Sequence, residues 1–348
     1  MSVRFAVVGT PGDRRVGLFR DAVVGQGLAE PYVVPWVDVL AGCPLGVPEG
    51  ALLRIDSPGE DATADELLRG PGDPARVGGG AAWYKAFTAG LERLATLPGV
   101  RLLGDVGEIG VMFDKRRCHA ALAGAGVPVP PAFEAGSYAD LREGMAGPGW
   151  ARVFVKPAHG SSASGVIAFQ THGGRVKAVT SASWIDGVWC NSLRVRTVTD
   201  EAEVRRLVDF LGADGLHVER WFPKASVGGA AFDLRVVTVA GTPTHAVVRV
   251  GRAPMTNLHL GGMRGDLDVV RGRAALWKRV LDVCGQAAAC FPGSLSTGVD
   301  VLVGADWRSV VVAEVNAFGD LLPGLTDFSG HGRDTYAEQV RAVLDGRH

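Results

Sequence analysis

Lys156 closes the apolar run Val153-Phe154-Val155 and is followed by Pro157-Ala158-His159-Gly160-Ser161-Ser162-Ala163-Ser164-Gly165. A strand of this kind delivers one ammonium group to its end. The Gly/Ser-rich loop behind it exposes successive backbone N–H groups, an arrangement suited to phosphate oxygens. Serine hydroxyls add donors, and the lysine adds a point charge. The loop is not a Walker sequence, because no Gly-Lys-Ser/Thr follows it and no helix pattern opens there. A Gly/Ser hairpin beside a solvated lysine is the alternative. Lysine is scarce, however: Lys85, Lys115, Lys156, Lys177, Lys224 and Lys278 are the only six, against 30 arginines. Generic surface charge is carried by arginine, so a lysine inside an apolar strand calls for a reason.

A second set is acidic. Asp300 interrupts the apolar run 298–303, and Glu314 and Asn316 interrupt the run 310–316. Residues two apart on a strand share a face, so Glu314 and Asn316 point the same way. Charges among apolar neighbours are costly unless paired or bound to a cation. Oxygen donors alone suit Mg²⁺, or Mn²⁺ in its place. Asp300 joins that face if cross-strand partners have residue numbers that sum to an even value, which calls for an odd-length loop around Gly304-Ala305-Asp306. The alternative is a solvated sheet face. A third set is Asp233-Leu234-Arg235, with Asp233 and Arg235 on one face, then Arg249 and Asn257-Leu258-His259-Leu260-Gly261-Gly262. Arginines aimed at a phosphoryl group stabilise the charge that develops as it is transferred. An exposed Asp–Arg pair is the competing reading.

The elements that must carry these residues follow from apolar periodicity. Residues 3–8 read as a buried strand, 15–28 as a helix, and 32–40 and 51–55 as further strands. This alternation predicts a small parallel α/β unit ending near residue 110. The Gly/Pro-rich stretch 70–80 reads as a loop or linker. A helix at 114–125 is ended by Gly126 and an extended proline-rich segment. Short strands follow at 152–156, 165–170, 175–179 and 193–198, then a helix at 200–212. Strands recur at 216–220, 232–240 and 244–250, with a helix at 273–290. A hairpin of 298–303 with 308–315 and a last helix at 334–345 complete the pattern.

With 348 residues, more than one core is expected. The hydrophobic fraction of 47% is ample for them, and a net charge of −1 gives no basic field for nucleic acid. The five cysteines form no CxxC pair and fit free thiols in a reducing cytoplasm. The first apolar run is too short for a signal peptide, and no run is long enough to span a membrane.

Taken together and in this order, the segments resemble the ATP-grasp superfamily, and most closely the RimK-type ligases that add glutamate to a protein terminus. The resemblance spans about residues 110–325. It rests on Asp114-Lys115, the Lys156 strand with its serine loop, Glu219, Asp233-Leu234-Arg235, Arg249, Asn257-Leu258-His259-x-Gly-Gly, Gly298-Val299-Asp300 and Glu314-Val315-Asn316. It implies a fold of α/β and α+β parts: an N-terminal Rossmann-like pre-ATP-grasp domain (1–108), a central lid (109–215) and a C-terminal subdomain (216–348), with ATP gripped between the last two. It implies phosphate contacts from Lys115, Lys156, Ser161, Ser162, Ser164 and Gly165. Glu219 and Arg220 would sit at the adenine linker through backbone groups, Asp233 near the ribose, and Asn257 near phosphate and metal. Asp300, Glu314 and Asn316 would hold Mg²⁺. Arg249 would act on the transferring phosphoryl group, with Arg235 and His259 as further catalytic candidates. The activity implied is activation of a small-molecule or peptide carboxylate as an acyl phosphate, then capture by an amine or thiol, by a monomer or a homo-oligomer.

This chain departs from the RimK pattern in three places. Thirteen residues separate Glu219 from Asp233, which is longer than the pattern. Met255-Thr256-Asn257 stands where that family has Arg-Ser-Asn, with Arg252 or Arg264 available to substitute. After Asn316 the chain reads Ala317-Phe318-Gly319-Asp320-Leu321-Leu322-Pro323-Gly324-Leu325, a changed loop that borders the acceptor. Two rivals therefore stand beside the ligase: a kinase with the same grip, and an ATP-binding protein without turnover. In the N-terminal unit, Arg14, Arg15, Arg54, Asp56 and Glu60 follow turns or strand ends, where α/β units place ligand contacts. The segment 54–60 is expected to face the carboxylate substrate or to be an ordinary surface loop. His119, His159, His217, His245 and His331 read as structural or solvated.

Overall fold

The computed structural model describes residues 3–59, 61–160, 163–256 and 261–348, without the side chain of Leu193, and its strands form three sheets. Four expected residues, Ser161, Ser162, Asn257 and His259, lie outside the described set, as does Glu60.

The N-terminal unit contains β1 (Phe5–Gly9), α1 (Arg14–Val24), β2 (Tyr32–Pro35), α2 (Trp36–Leu40), β3 (Leu52–Ile55), α3 (Ala62–Arg69), α4 (Gly80–Ala95) and β4 (Arg101–Leu102). Its sheet is parallel, in the order β2-β1-β3-β4. All five residues of β1 are buried, because both faces are covered. Phe5 and Val7 pack with α1 and with the last helix of the chain, while Ala6 and Val8 pack with α2 and α4. The stretch 32–40, read as one strand, is a strand only to Pro35. Its fixed φ leads into α2, and Trp36 and Val39 are buried at helical spacing. Residues 75–77 are tied to the neighbouring sheet: Asn191 N–H donates to Ala75 O and Val77 N–H to Trp189 O.

The chain next forms α5 (Val106–Phe113) and α6 (Lys115–Gly124). The middle unit follows with β5 (Ala132–Ala135), α7 (Tyr138–Gly144), β6 (Arg152–Pro157), β7 (Ile167–His172), β8 (Arg175–Ile185), β9 (Val188–Val198), α8 (Glu201–Gly212) and β10 (Leu216–Arg220). The sheet order is β5-β10-β6-β7-β8-β9, antiparallel throughout. α7 and α8 supply the apolar side chains that bury one face, including Leu141, Val204, Leu207 and Leu211. Two features move the expected subdomain borders. Strand β10 lies inside this sheet, between β5 and β6, so the middle unit runs past residue 215 to Arg220. Helices α5 and α6, expected in the lid, put Met112, Cys118 and Leu122 into the C-terminal core instead.

The C-terminal unit contains β11 (Ser226–Val227), β12 (Ala230–Val239), β13 (Thr242–Gly251), β14 (Met263–Gly265), α9 (Asp268–Arg271), α10 (Ala274–Ala288), β15 (Ser296–Val303), β16 (Val310–Asn316) and α11 (Thr335–Leu344). Its main sheet runs β14-β13-β12-β15-β16. α10 covers one face with Leu276, Val280, Val283 and Ala287. The opposite face carries the charged residues. α11 returns to the first unit, where Tyr336, Val340 and Val343 complete its core. No helix among the described residues is long and apolar enough to cross a membrane, and all five cysteines are free thiols.

Candidate active site

The polar faces of the middle and C-terminal sheets look at each other. Lys156 points from β6 toward β10, where its Nζ donates to Glu219 Oε1 at 2.6 Å. His217 shares that carboxylate oxygen at 3.0 Å. Burial alone would raise the Glu219 pKa, but the Lys156 charge and the His217 hydrogen bond bring it down to about 2. Burial would lower Lys156, yet Glu219 raises it, helped by Glu314 and Asp300 on the facing sheet. Both groups are therefore held ionised. The Glu219 carboxylate faces inward onto Lys156. Arg220 is exposed, and its N–H donates to Pro131 O.

On the C-terminal sheet, β15 and β16 bring Asp300 opposite Glu314 and Gly298 opposite Asn316. The expected parity holds, although the route to it differs from the odd loop required above. The connection is the six residues 304–309, an even loop. A β-bulge then shifts the register between Asp300 and Val301, with Ala313 as the extra residue. The bulge turns Asp300 onto the face of Glu314. Bulges often re-aim a side chain next to an active site.

Asp300 is held by two arginines. Arg235 reaches it through Nε and Nη2, at 2.6 and 3.0 Å. Arg249 Nη2 lies 2.9 Å away. Burial would raise the Asp300 pKa, and the two guanidinium groups lower it to about 2. Arg249 also donates through Nε to Asp233 Oδ1 at 2.7 Å. Asp233, expected near a ribose, is enclosed by Arg249, the Thr256 hydroxyl and the Lys224 ammonium. On the other strand, Lys115 Nζ bridges Glu314 Oε1 at 2.9 Å and Gly160 O at 2.6 Å. One ammonium thus links the phosphate-type loop to the acidic hairpin.

Two carboxylates and one amide oxygen on one face form an all-oxygen donor set that fits Mg²⁺. Among the described residues no three His, Cys, Asp or Glu side chains cluster as a metal site by themselves. Mg²⁺ needs no such cage, because it binds through one or two carboxylates and takes its other ligands from water and phosphate. Ser164 and Gly165 lie in the turn that leads into β7, where Ala163 and Gly165 adopt positive φ.

The structure adds three residues. Lys224 donates to Thr256 Oγ1 at 2.9 Å, and its pKa is lowered, chiefly by burial. His159 Nε2 donates to Asp114 Oδ2 at 3.1 Å, beside the Gly/Ser loop. Asp320 receives Arg54 Nη2 at 2.6 Å and Arg15 Nη1 at 3.1 Å. Lysine scarcity was the signal for Lys224: the exposed lysines are Lys85, Lys177 and Lys278, and the three sequestered ones all line this site.

Arg54 and Asp56, expected to face a substrate, are buried and bonded to each other at 2.6 Å. With Asp320 they clamp the N-terminal unit to the loop after Asn316. That loop crosses β15 closely: a Cβ on Gly298 would lie 2.5 Å from Gly319 Cα. Glycine at both positions lets the loop run beside the metal-type hairpin, and Arg235 Nη1 fixes it through Gly319 O at 3.2 Å. His119, His217 and His245 make the internal contacts of structural histidines, to Pro130 O, Glu219 and Arg333 O.

No family model matches the sequence, and no curated protein matches it. Solved structures do match along the whole chain. The ATP-grasp ligase PsnB in complex with a precursor peptide and AMPPNP is 18% identical, with a TM-score of 0.55, covering 100% of this chain and 98% of that one. The D-cycloserine synthetase DcsG is 18% identical, with a TM-score of 0.59 and coverage of 98% and 99%. The D-alanine–D-alanine ligase of Bacillus anthracis in complex with ATP is 15% identical, with a TM-score of 0.53 and coverage of 99% and 97%. The fold of this chain is that of the ATP-grasp ligases.

Proposed function

We propose that this chain is an ATP-dependent ligase. It binds Mg-ATP between the middle and C-terminal sheets, converts a carboxylate to an acyl phosphate, and passes the acyl group to an amine or thiol with release of ADP and phosphate. The observation that carries this reading is the confrontation of Lys156 and its loop with Asp300, Glu314 and Asn316, one set on each facing sheet, bridged by Lys115.

In this reading Lys115, Lys156, Ser161, Ser162, Ser164 and Gly165 bind the phosphates, and Asn257 joins them. Asp300, Glu314 and Asn316 would hold the cation, Mg²⁺ or Mn²⁺, which would neutralise phosphate charge. Arg249 and Arg235, both paired with Asp300, are the charge stabilisers for the transferring phosphoryl group. Guanidinium groups serve here as charge stabilisers and not as acids. His259 is the remaining catalytic candidate. Closure of the facing sheets excludes water from the acyl phosphate. No covalent enzyme intermediate is needed, consistent with the lack of a nucleophile motif.

The test is ADP release with pooled carboxylates, with and without pooled amines and thiols. Turnover that needs both partners supports the ligase. Turnover driven equally by alcohols alone contradicts it in favour of a kinase.

A further inference from the structure

We propose that helix α4 of the N-terminal unit positions the phosphate loop through His159, a positioning residue that the sequence reading left among the structural histidines. The inference rests on the nucleotide reading above and adds to it a role for the first unit.

The loop is held from outside the middle sheet. Lys115 N–H donates to Ala158 O at 3.0 Å, and Lys115 Nζ to Gly160 O at 2.6 Å. Between these two contacts His159 turns inward, with its side chain 8% exposed. Its Nε2 meets Asp114 Oδ2 at 3.1 Å, and its ring stacks on Tyr84 with centroids 4.2 Å apart and planes 18° apart. Both partners are themselves fixed. The Asp114 carboxylate caps α6 through Arg116 N–H and Arg117 N–H and receives the Arg116 guanidinium. The Tyr84 hydroxyl donates to Gly110 O at 2.9 Å and accepts from Arg117 Nη1 at 2.9 Å.

Gly80, the first residue of α4, touches the loop backbone directly. A Cβ there would lie 2.4 Å from His159 O. Gly80 has no positive φ, so backbone strain is not why glycine is needed; the close approach is. Its N–H is taken by Asp214 Oδ2 at 2.8 Å, which anchors the helix start to the middle unit.

Residues 80, 84 and 87 lie on one helix face, at spacings of four and three. Phe87, the third of them, packs on Phe113 at 4.7 Å and reaches Phe318 at 6.4 Å, in the loop that follows Asn316. One face of α4 therefore abuts the loops on both sides of the candidate nucleotide site. A methyl group added at Gly80 would press on the loop backbone at His159 O, between the two points where Lys115 holds it.

Equilibrium titration with Mg-ATP tests this on the full chain, with thermal melting as the fold control. His159→Ala should weaken Mg-ATP binding about tenfold, as loss of a charge-assisted contact does, and Gly80→Ala should weaken it about as much by pushing on the loop backbone at His159 O. Both variants lose some thermal stability, since the Gly80 contact is with backbone and the His159 ring is buried, so binding is compared well below both melting temperatures. His159→Gln keeps a donor near the Nε2 position and should recover most of the affinity. Unaltered binding in both Gly80→Ala and His159→Ala, with the starting protein binding normally, overturns the inference alone. Affinity in His159→Gln as poor as in His159→Ala overturns the role given to the Asp114 bond. If the unaltered protein binds no Mg-ATP, the nucleotide reading falls, and this inference with it.

Discussion

Glu314→Ala should stop ADP formation, with turnover lowered about 10³-fold, while the protein remains folded. Glu314 is an oxygen donor of the acidic hairpin, and its removal leaves Asp300 as the one carboxylate of the set, which weakens the hold on the cation and misplaces it against the triphosphate. The structural cost is small, because the Glu314 side chain is 26% exposed and Lys115 keeps its bond to Gly160 O. Loss of that one contact is worth about 1–2 kcal/mol. ADP release and a denaturant melt, measured on the same preparation, separate the two effects. Turnover near that of the unaltered protein would remove Glu314 from the site.

Lys156→Met should also lower turnover, by about 10²- to 10³-fold, but here stability falls as well. The variant leaves Glu219 ionised, with a side chain 6% exposed and His217 as its remaining partner. Breaking a buried pair from one side costs about 3 kcal/mol or more. The pH dependence identifies the cause. In the unaltered protein, Glu219 has a folded pKa of about 2 against an ordinary value of 4.5. A depressed carboxylate contributes stability above its unfolded pKa and loses it as pH falls through the folded one. That contribution is therefore full at pH 7 and fades between about 4.5 and 2. In Lys156→Met the opposing term, burial, dominates and raises the Glu219 pKa, so acid relieves the variant by neutralising the carboxylate. The melting gap between the two proteins should narrow on acidification from neutral pH. A gap that stays constant would mean that Lys156 stabilises by packing and not by charge.

The parts of the fold that were legible in the sequence are those whose pattern is local. The first buried strand, the β6 strand ending at Lys156, and helices α6 and α8 all followed from short-range rules. The stretch 32–40 misled because Val, Trp and Leu suit a strand and a buried helix equally, and only the break at Pro35 decides. The bulge at Ala313 left no mark, since Val310-Val311-Val312-Ala313 carries no glycine to announce it. Without that bulge the six-residue loop would have turned Asp300 away from Glu314.

The site was legible where a charge interrupts an apolar strand, since such a charge must have a partner. Lys156, Asp300 and Glu314 were visible on that ground, and Asp233 and Arg249 through the family resemblance. His159 and Asp320 were not, because each acquires its role from a segment remote in sequence: Asp114 and Arg54. The same remoteness hid the use of Arg54 and Asp56. Strand ends in an α/β unit often face a ligand, but here they face Asp320 and clamp two units together.

The most direct test of the central claim is hydroxylamine trapping with Mg-ATP and pooled carboxylates, following ADP and hydroxamate together. The account predicts a hydroxamate that requires ATP, forms in step with ADP and vanishes in Glu314→Ala. Sustained ADP release with no hydroxamate from any carboxylate would contradict it, because phosphate would then be passing to something other than an acyl group.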